Sequence, residues 1–280
     1  VRSTTTFKLY RYQLLPIDRH TGDLYDGLTT AQLIDRKNEI FAQAIPFIAR
    51  HTHRGTQLAV QVDGPESDAF VLRIAPRRAL LRETPEFRLE QIENWPHVTA
   101  IVLNRPDEQL LAVQDKPIAF TSTNTVVRLI QSATRGALER AGLRLHIESL
   151  FSRENFWALI KQHRGRVTWI EFALVTPNMA NISNTLAEDF KNLAKGTNAS
   201  QSNVQLRSDP ASALNIQPDD PEVKGLVDYA SEGGGDISVK IRGFRKRIHT
   251  SSSVRETEMD DLQLSGPVAQ IASILRGLLK

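Results

Sequence analysis

The chain contains no cysteine. That single absence removes a disulfide framework, a thiol nucleophile, a thiolate zinc site and an iron–sulfur cluster. Long apolar runs are missing too. No stretch approaches the ~18 apolar residues needed to span a bilayer, and the longest ones are interrupted by Arg or Asn. The opening Val1-Arg-Ser-Thr-Thr-Thr6 has no apolar core, so no signal peptide and no membrane insertion are expected, and the expected compartment is the cytoplasm. Aromatic residues make up only 6% of the chain.

Motifs with a known mechanism are also absent. Ser231 is followed by Glu232 and three glycines, not by the Gly-x-Ser-x-Gly pattern of a serine nucleophile. Gly233-Gly-Gly235 precedes a predicted strand, and no Gly-Lys-Ser/Thr follows it, so neither a P-loop nor a dinucleotide fingerprint is present. Its two readings are an anion cradle of backbone N–H groups and a simple helix stop, of which the helix stop is preferred. No cofactor and no metal is expected, and catalytic residues are not identifiable.

What is present is ordinary globular material. The 280 residues are 40% hydrophobic and 24% charged, with a net charge of +3, so a substantial core is available to one large or two small domains. The periodicity predicts strands over 6–15, 57–62, 69–75, 98–104, 109–114, 143–150, 167–175, 204–206, 214–216 and 257–264. Helices are predicted over roughly 30–48, 124–141, 153–162, 184–195, 221–230 and 267–279, with Thr29 or Thr30 and Ser152 as N-caps. Residues 18–27 read as a loop, and Thr84–Asn94 as a polar helix or loop. Strands and helices follow no strict alternation. The expected class is therefore α+β, with mixed sheets flanked by helices, and not a doubly wound nucleotide-binding fold. Pro117 and the polar Thr121-Ser-Thr-Asn124 suggest a boundary near 118–123, between a strand-rich domain at 1–120 and an α/β domain at 121–280.

One segment stands out by charge. In Asp236-Ile-Ser-Val-Lys-Ile-Arg242, Ile237, Val239 and Ile241 share one face of a strand, and Ser238, Lys240 and Arg242 the other. Arg245, Lys246, Arg247 and His249 follow, and no acidic residue intervenes before Glu256. Lys240, Arg242, Arg245, Lys246, Arg247 and His249 are the candidate nucleic-acid-binding residues, as a ribbon that neutralises phosphates. The bland alternative is a solvated face paired with Glu256, Glu258, Asp260 and Asp261 on an adjacent strand.

Other constellations are weaker. Asp236 and Lys240 suggest a metal-dependent nuclease only if an acid on an earlier strand joins them. The Arg140–His146 and Arg242–His249 spacings look like those of helical HEPN ribonucleases, but both histidines fall on predicted strands. His51 and His53 read as a surface loop. Tyr10 and Tyr12 share a strand face with Lys8, either to stack on bases or to sit half-buried. Trp95, Trp157, Trp169, Phe156 and Phe172 read as core, and the amide-rich stretch 178–203 as ordinary loop and capping chemistry.

Pro177-Asn-Met-Ala-Asn181 and the stretch Val227-Asp-Tyr-Ala-Ser-Glu-Gly-Gly-Gly-Asp-Ile-Ser-Val-Lys-Ile-Arg-Gly243 resemble uncharacterised bacterial proteins of similar length that are often found near phage-defence or mobile-element genes. The resemblance covers the second half and supplies no catalytic residues. It implies a prokaryotic protein working near foreign nucleic acid or a partner defence protein. Together with the acid-free basic run, the leading expectation is a non-catalytic nucleic-acid-binding or sensor component of a bacterial defence-type system. A metal-dependent nuclease and a protein-interaction subunit of a defence complex are the alternatives, with a partner defence protein or a homo-oligomer as further expected partners.

Overall fold

The structure, a computed structural model, describes residues 4–17, 28–52, 55, 57–176, 186 and 188–279. The expected loop at 18–27, His53, and the resemblance motif at 177–181 lie outside the described residues. By its contacts the chain divides into two compact units, one of residues 1–8, 38–141 and 257–280, the other of residues 9–37 and 142–256. Neither unit is a continuous half of the sequence, and the expected boundary near 118–123 lies inside the first.

In the first unit the strands are the start of β1 (Thr4–Pro16), β2 (Leu58–Glu66), β3 (Ala69–Pro76), β6 (Val98–Arg105), β7 (Glu108–Gln114) and β13 (Glu256–Asp260). They are ordered β13-β1-β7-β6-β3-β2. The β6–β7 hairpin turns at Arg105–Glu108, where the polar Asn-Arg-Pro-Asp-Glu run predicts it. β3 and β6 are buried at both parities, with only Arg73 half-buried within β3, as strands made mostly of Val, Ile, Leu, Phe and Ala are. α2 (Thr123–Arg140) is capped by Ser122, whose hydroxyl accepts the N–H of Asn124, and it buries Val126, Val127, Leu129, Ile130 and Leu138. The closing helix α6 (Val268–Leu278) packs on β2 and β3.

Between β3 and β6 the chain leaves the sheet as a separate two-stranded ribbon, β4 (Arg78–Glu83) with β5 (Leu89–Asn94). Of Thr84–Asn94, read as helix or loop, residues 84–88 are loop and Leu89–Asn94 is corrected to a strand. Every residue of β4 is exposed, so no apolar alternation marks the strands. Backbone pairing and cross-strand contacts such as Arg82–Glu90 at 2.8 Å hold it instead.

The second unit contains the remainder of β1, which pairs antiparallel with β8 (Leu143–Ser149), and α1 (Thr30–Ala44), which straddles the division between the units. Thr29 and Gln32 cap α1 reciprocally: the Thr29 hydroxyl accepts the N–H of Gln32 at 3.3 Å and Gln32 Oε1 accepts the N–H of Thr29 at 2.8 Å. Tyr10 and Tyr12 are 2% and 1% exposed, so they are core and not a stacking surface.

A second sheet carries the order β10-β9-β11-β12, with β9 at Val167–Val175, β10 at Gln201–Arg207, β11 at Gly235–Ile241 and β12 at Ile248–His249. Ile170, Phe172, Leu174, Ile237, Val239 and Ile241 form its apolar face. They pack with Phe156 and Ile160 of α3 (Arg153–Gln162), with Val227 and Tyr229 of α5 (Pro221–Tyr229), and with Phe190 of α4 (Glu188–Gly196). Among the described residues the helices thus pack on the apolar face. Leu214–Ile216 is not a strand; it is an irregular segment tied down where the N–H of Leu214 meets the Val167 carbonyl at 2.7 Å. Every pairing whose register is described is antiparallel, and with helices against the sheets the class is α+β.

Candidate nucleic-acid interface

The register of the second sheet fixes what its other face presents. Arg207 of β10 lies opposite Trp169 of β9, and Trp169 opposite Lys240 of β11. Side chains directly opposite each other share a face, so these three form one cross-strand row, cation–aromatic–cation. One step along, Gln205, Glu171, Ser238 and His249 form the next row, and Asn203, Ala173 and Asp236 the one after.

The first row floors a cleft of about 910 Å³, lined by Trp169, Arg207, Lys240, Arg245 and Arg247 together with the 208–210 loop. The Arg247 guanidinium carbon sits 3.9 Å from the centroid of the Trp169 ring, a stacked cation–π contact. Trp169 is core, as expected, at only 7% exposed, but its row is the polar one, and its cover is an arginine.

The candidate ribbon residues divide by what holds them. Lys240 Nζ donates to the carbonyls of Phe244 and Arg245, at 2.6 and 3.0 Å, and so ties down the turn that follows its own strand. Gly243, at φ +89°, makes that turn possible. Arg242 Nη2 donates to the carbonyls of Ser212 and Pro210, at 2.5 and 3.4 Å. Arg166 Nη2 donates in turn to the Arg242 carbonyl at 2.9 Å. The two arginines hold the 208–212 loop against the end of β11. His249 Nδ1 lies 2.8 Å from Ser238 Oγ and 3.3 Å from Asp236 Oδ2.

Arg245, Lys246 and Arg247 are exposed, as is Arg207. Among the described residues no ion pair engages any of these four. The anticipated pairing with the acids after residue 255 is not made: β13 joins the other sheet beside β1, while the neighbours of β11 are β9 and β12. Asp209 on the cleft wall and Glu171 one row away temper the positive charge without cancelling it.

Asp236 is a structural acid. Its Oδ1 accepts the Thr250 hydroxyl at 2.7 Å and the Ser251 N–H at 2.8 Å, and its Oδ2 accepts the Ser251 hydroxyl at 3.3 Å. Ser238 and Asp236 approach the same ring nitrogen of His249. A relay from hydroxyl to carboxylate needs opposite nitrogens, so this trio cannot act as a Ser-His-Asp triad. Burial, reinforced by the Asp236 charge, pushes the Glu148 carboxyl of β8 up to about 7. Burial and the nearby Arg144 charge hold His146 down at about 4. Among the described residues no group of three or more His, Asp or Glu is placed to share a metal ion.

The three glycines are packing positions. A Cβ at Gly233 would lie 2.3 Å from the Arg11 side chain, one at Gly234 2.3 Å from the Tyr229 ring, and one at Gly235 2.1 Å from the Ala173 carbonyl oxygen. All three are buried, so their N–H groups present no cradle to solvent.

Arg207 and Trp169 were not legible as site residues. Arg207 lies 33 positions before Lys240 and carries no local charge pattern. Only the strand register brings the two onto one row. No protein-family model matches the chain, and no curated protein matches it. Among the described residues no helix is long and apolar enough to cross a membrane.

Proposed function

We propose that this protein binds nucleic acid through the cleft at the open end of the second sheet, as a non-catalytic recognition or sensing component of a bacterial defence-type system. The observation that carries the reading is the convergence of Arg207, Arg245 and Arg247 with Lys240 on one concavity, with no ion pair on any of the three arginines among the described residues. Structural arginines are normally paired. Unpaired guanidiniums in a cleft focus a positive potential and present the planar fork that suits phosphate oxygens. Lys240 and, through the 208–212 loop, Arg242 shape the cleft, while Arg207, Arg245 and Arg247 line it and meet the ligand; Lys246 and His249 do not line it. The defence assignment rests on the resemblance alone.

The nuclease reading loses its two named residues. Asp236 is engaged by Thr250 and Ser251, and Lys240 by two carbonyls. A protein-interaction role draws support from a different place, the β4–β5 ribbon, where Leu81, Phe87 and Leu89 are 70%, 88% and 70% exposed.

The test is affinity for labelled DNA and RNA after Arg207→Ala/Arg245→Ala/Arg247→Ala. At about 1 kcal/mol or somewhat more per charged contact, the triple variant is expected to lose on the order of a hundredfold at low salt. Arg128→Ala/Arg135→Ala, on the exposed side of α2, is expected to lose little. Equal losses in both variants would reduce the cleft to one part of a diffuse positive surface. Binding that is unchanged in the triple variant would sink the assignment.

A further inference from the structure

We infer that the cleft takes single-stranded nucleic acid, with an unpaired base stacked on the outer face of the Arg247 guanidinium, which Trp169 backs. This rests on the reading above and adds the class of strand and the residue that meets the base.

Three observations carry it. The 3.9 Å separation between the Arg247 guanidinium carbon and the Trp169 centroid places the guanidinium over the ring. Arg247 is nevertheless exposed, and its head has no ion pair among the described residues. A guanidinium held over an aromatic ring and still reached by solvent is a platform of the kind on which bases stack.

Second, the surface is concave. Duplex DNA is read by a convex helix or ribbon entering a groove, and its bases are already stacked on one another. A cleft of about 910 Å³ admits a nucleotide splayed from its neighbours and excludes a double helix from its floor. Third, the cleft opens along β10, which is an edge strand. A single strand therefore has a path past Arg207 for its phosphates and past the exposed amide of Gln205 for a base edge.

A stack that only shelters Trp169 predicts none of this, so the experiment separates base from backbone. An oligothymidylate, an abasic oligodeoxynucleotide of the same length and a duplex of the same length are titrated against the full chain at low salt, with tryptophan fluorescence as a second readout. The oligothymidylate is expected to bind at least fivefold more tightly than the abasic strand and to change tryptophan emission, the duplex binding more weakly than the oligothymidylate. In Arg247→Lys, which keeps the charge and removes the plane, the ratio between the two single strands is expected to collapse toward one.

Equal affinity for oligothymidylate and abasic strand overturns the inference and leaves phosphate binding standing. A duplex that binds as tightly as the single strand overturns it as well. A base preference that survives in Arg247→Lys places the stacking elsewhere and overturns the assignment to Arg247. No binding of any of the three removes the nucleic-acid reading itself. Circular dichroism of Arg247→Lys, an exposed substitution, guards against loss of fold.

Discussion

Glu148 shows how one residue can carry a pH dependence that has nothing to do with the cleft. Its carboxyl is pushed from about 4.5 to about 7, by burial first and by the Asp236 charge second. Arg11 is its register partner across β1 and β8, and the Arg11 Nε donates to the Glu232 carbonyl at 2.5 Å. Between pH 4.5 and 7 the folded chain therefore holds a proton that the unfolded chain has released. Stability falls as pH rises through that window. The penalty is absent below about 4.5, complete above about 7, and amounts to no more than about 3 kcal/mol. Glu148→Gln is expected to raise the unfolding midpoint at pH 8 and to flatten the pH dependence between 5 and 7, as followed by chemical denaturation. An unchanged profile would mean that Glu148 ionises freely in the folded chain.

At the scale of elements, the junction from α5 to β11 decides where the basic strand starts. α5 ends in a wide turn over Ala230–Gly234, and the glycines let it pass close to Tyr229, Arg11 and β9. Gly234→Ala drives a methyl group into the Tyr229 ring at 2.3 Å, and the loss is expected to be about 1–3 kcal/mol in denaturant unfolding. Gly277→Ala, in α6 with nothing within 4 Å, is expected to gain a few tenths to about 1 kcal/mol. A neutral Gly234→Ala would show that the turn relaxes and that the glycines serve something other than packing.

The same junction marks how far the sequence could be read. The alternation of Ile237, Val239 and Ile241 against Lys240 and Arg242 was plain, because a half-buried strand prints its period on its side chains. Ser152 as a cap and the bounds of β9 were equally plain. The β4–β5 ribbon was hidden for the opposite reason. β4 is exposed at every position and sets Leu80 beside Leu81, so no period of two marks it as a strand. The site was half visible. Arg245, Lys246 and Arg247 are contiguous and can be seen as a charge run, whereas Trp169 and Arg207 join them only through pairings between strands far apart in sequence. Trp169 reads correctly as core, and only the fold shows that an arginine covers it.

At the scale of the molecule, the chain interleaves two compact units, with β1 and α1 each contributing to both. The net charge of +3 is small. Any anion affinity must therefore come from local arrangement, and the cleft concentrates four cations where the whole surface carries few in excess. That makes salt dependence the most direct measure of the account, because the slope counts the phosphates displaced and does not depend on which base is bound. The measurement is the affinity of the purified chain for an oligothymidylate across a salt series. With Arg207, Arg245, Arg247 and at most Lys246 in contact, log K against log salt is expected to fall with a slope of about −2 to −3. That slope should shrink by about 2 in the triple arginine variant. A slope near zero, or no binding at low salt, would contradict the account and leave the cleft as a solvated face.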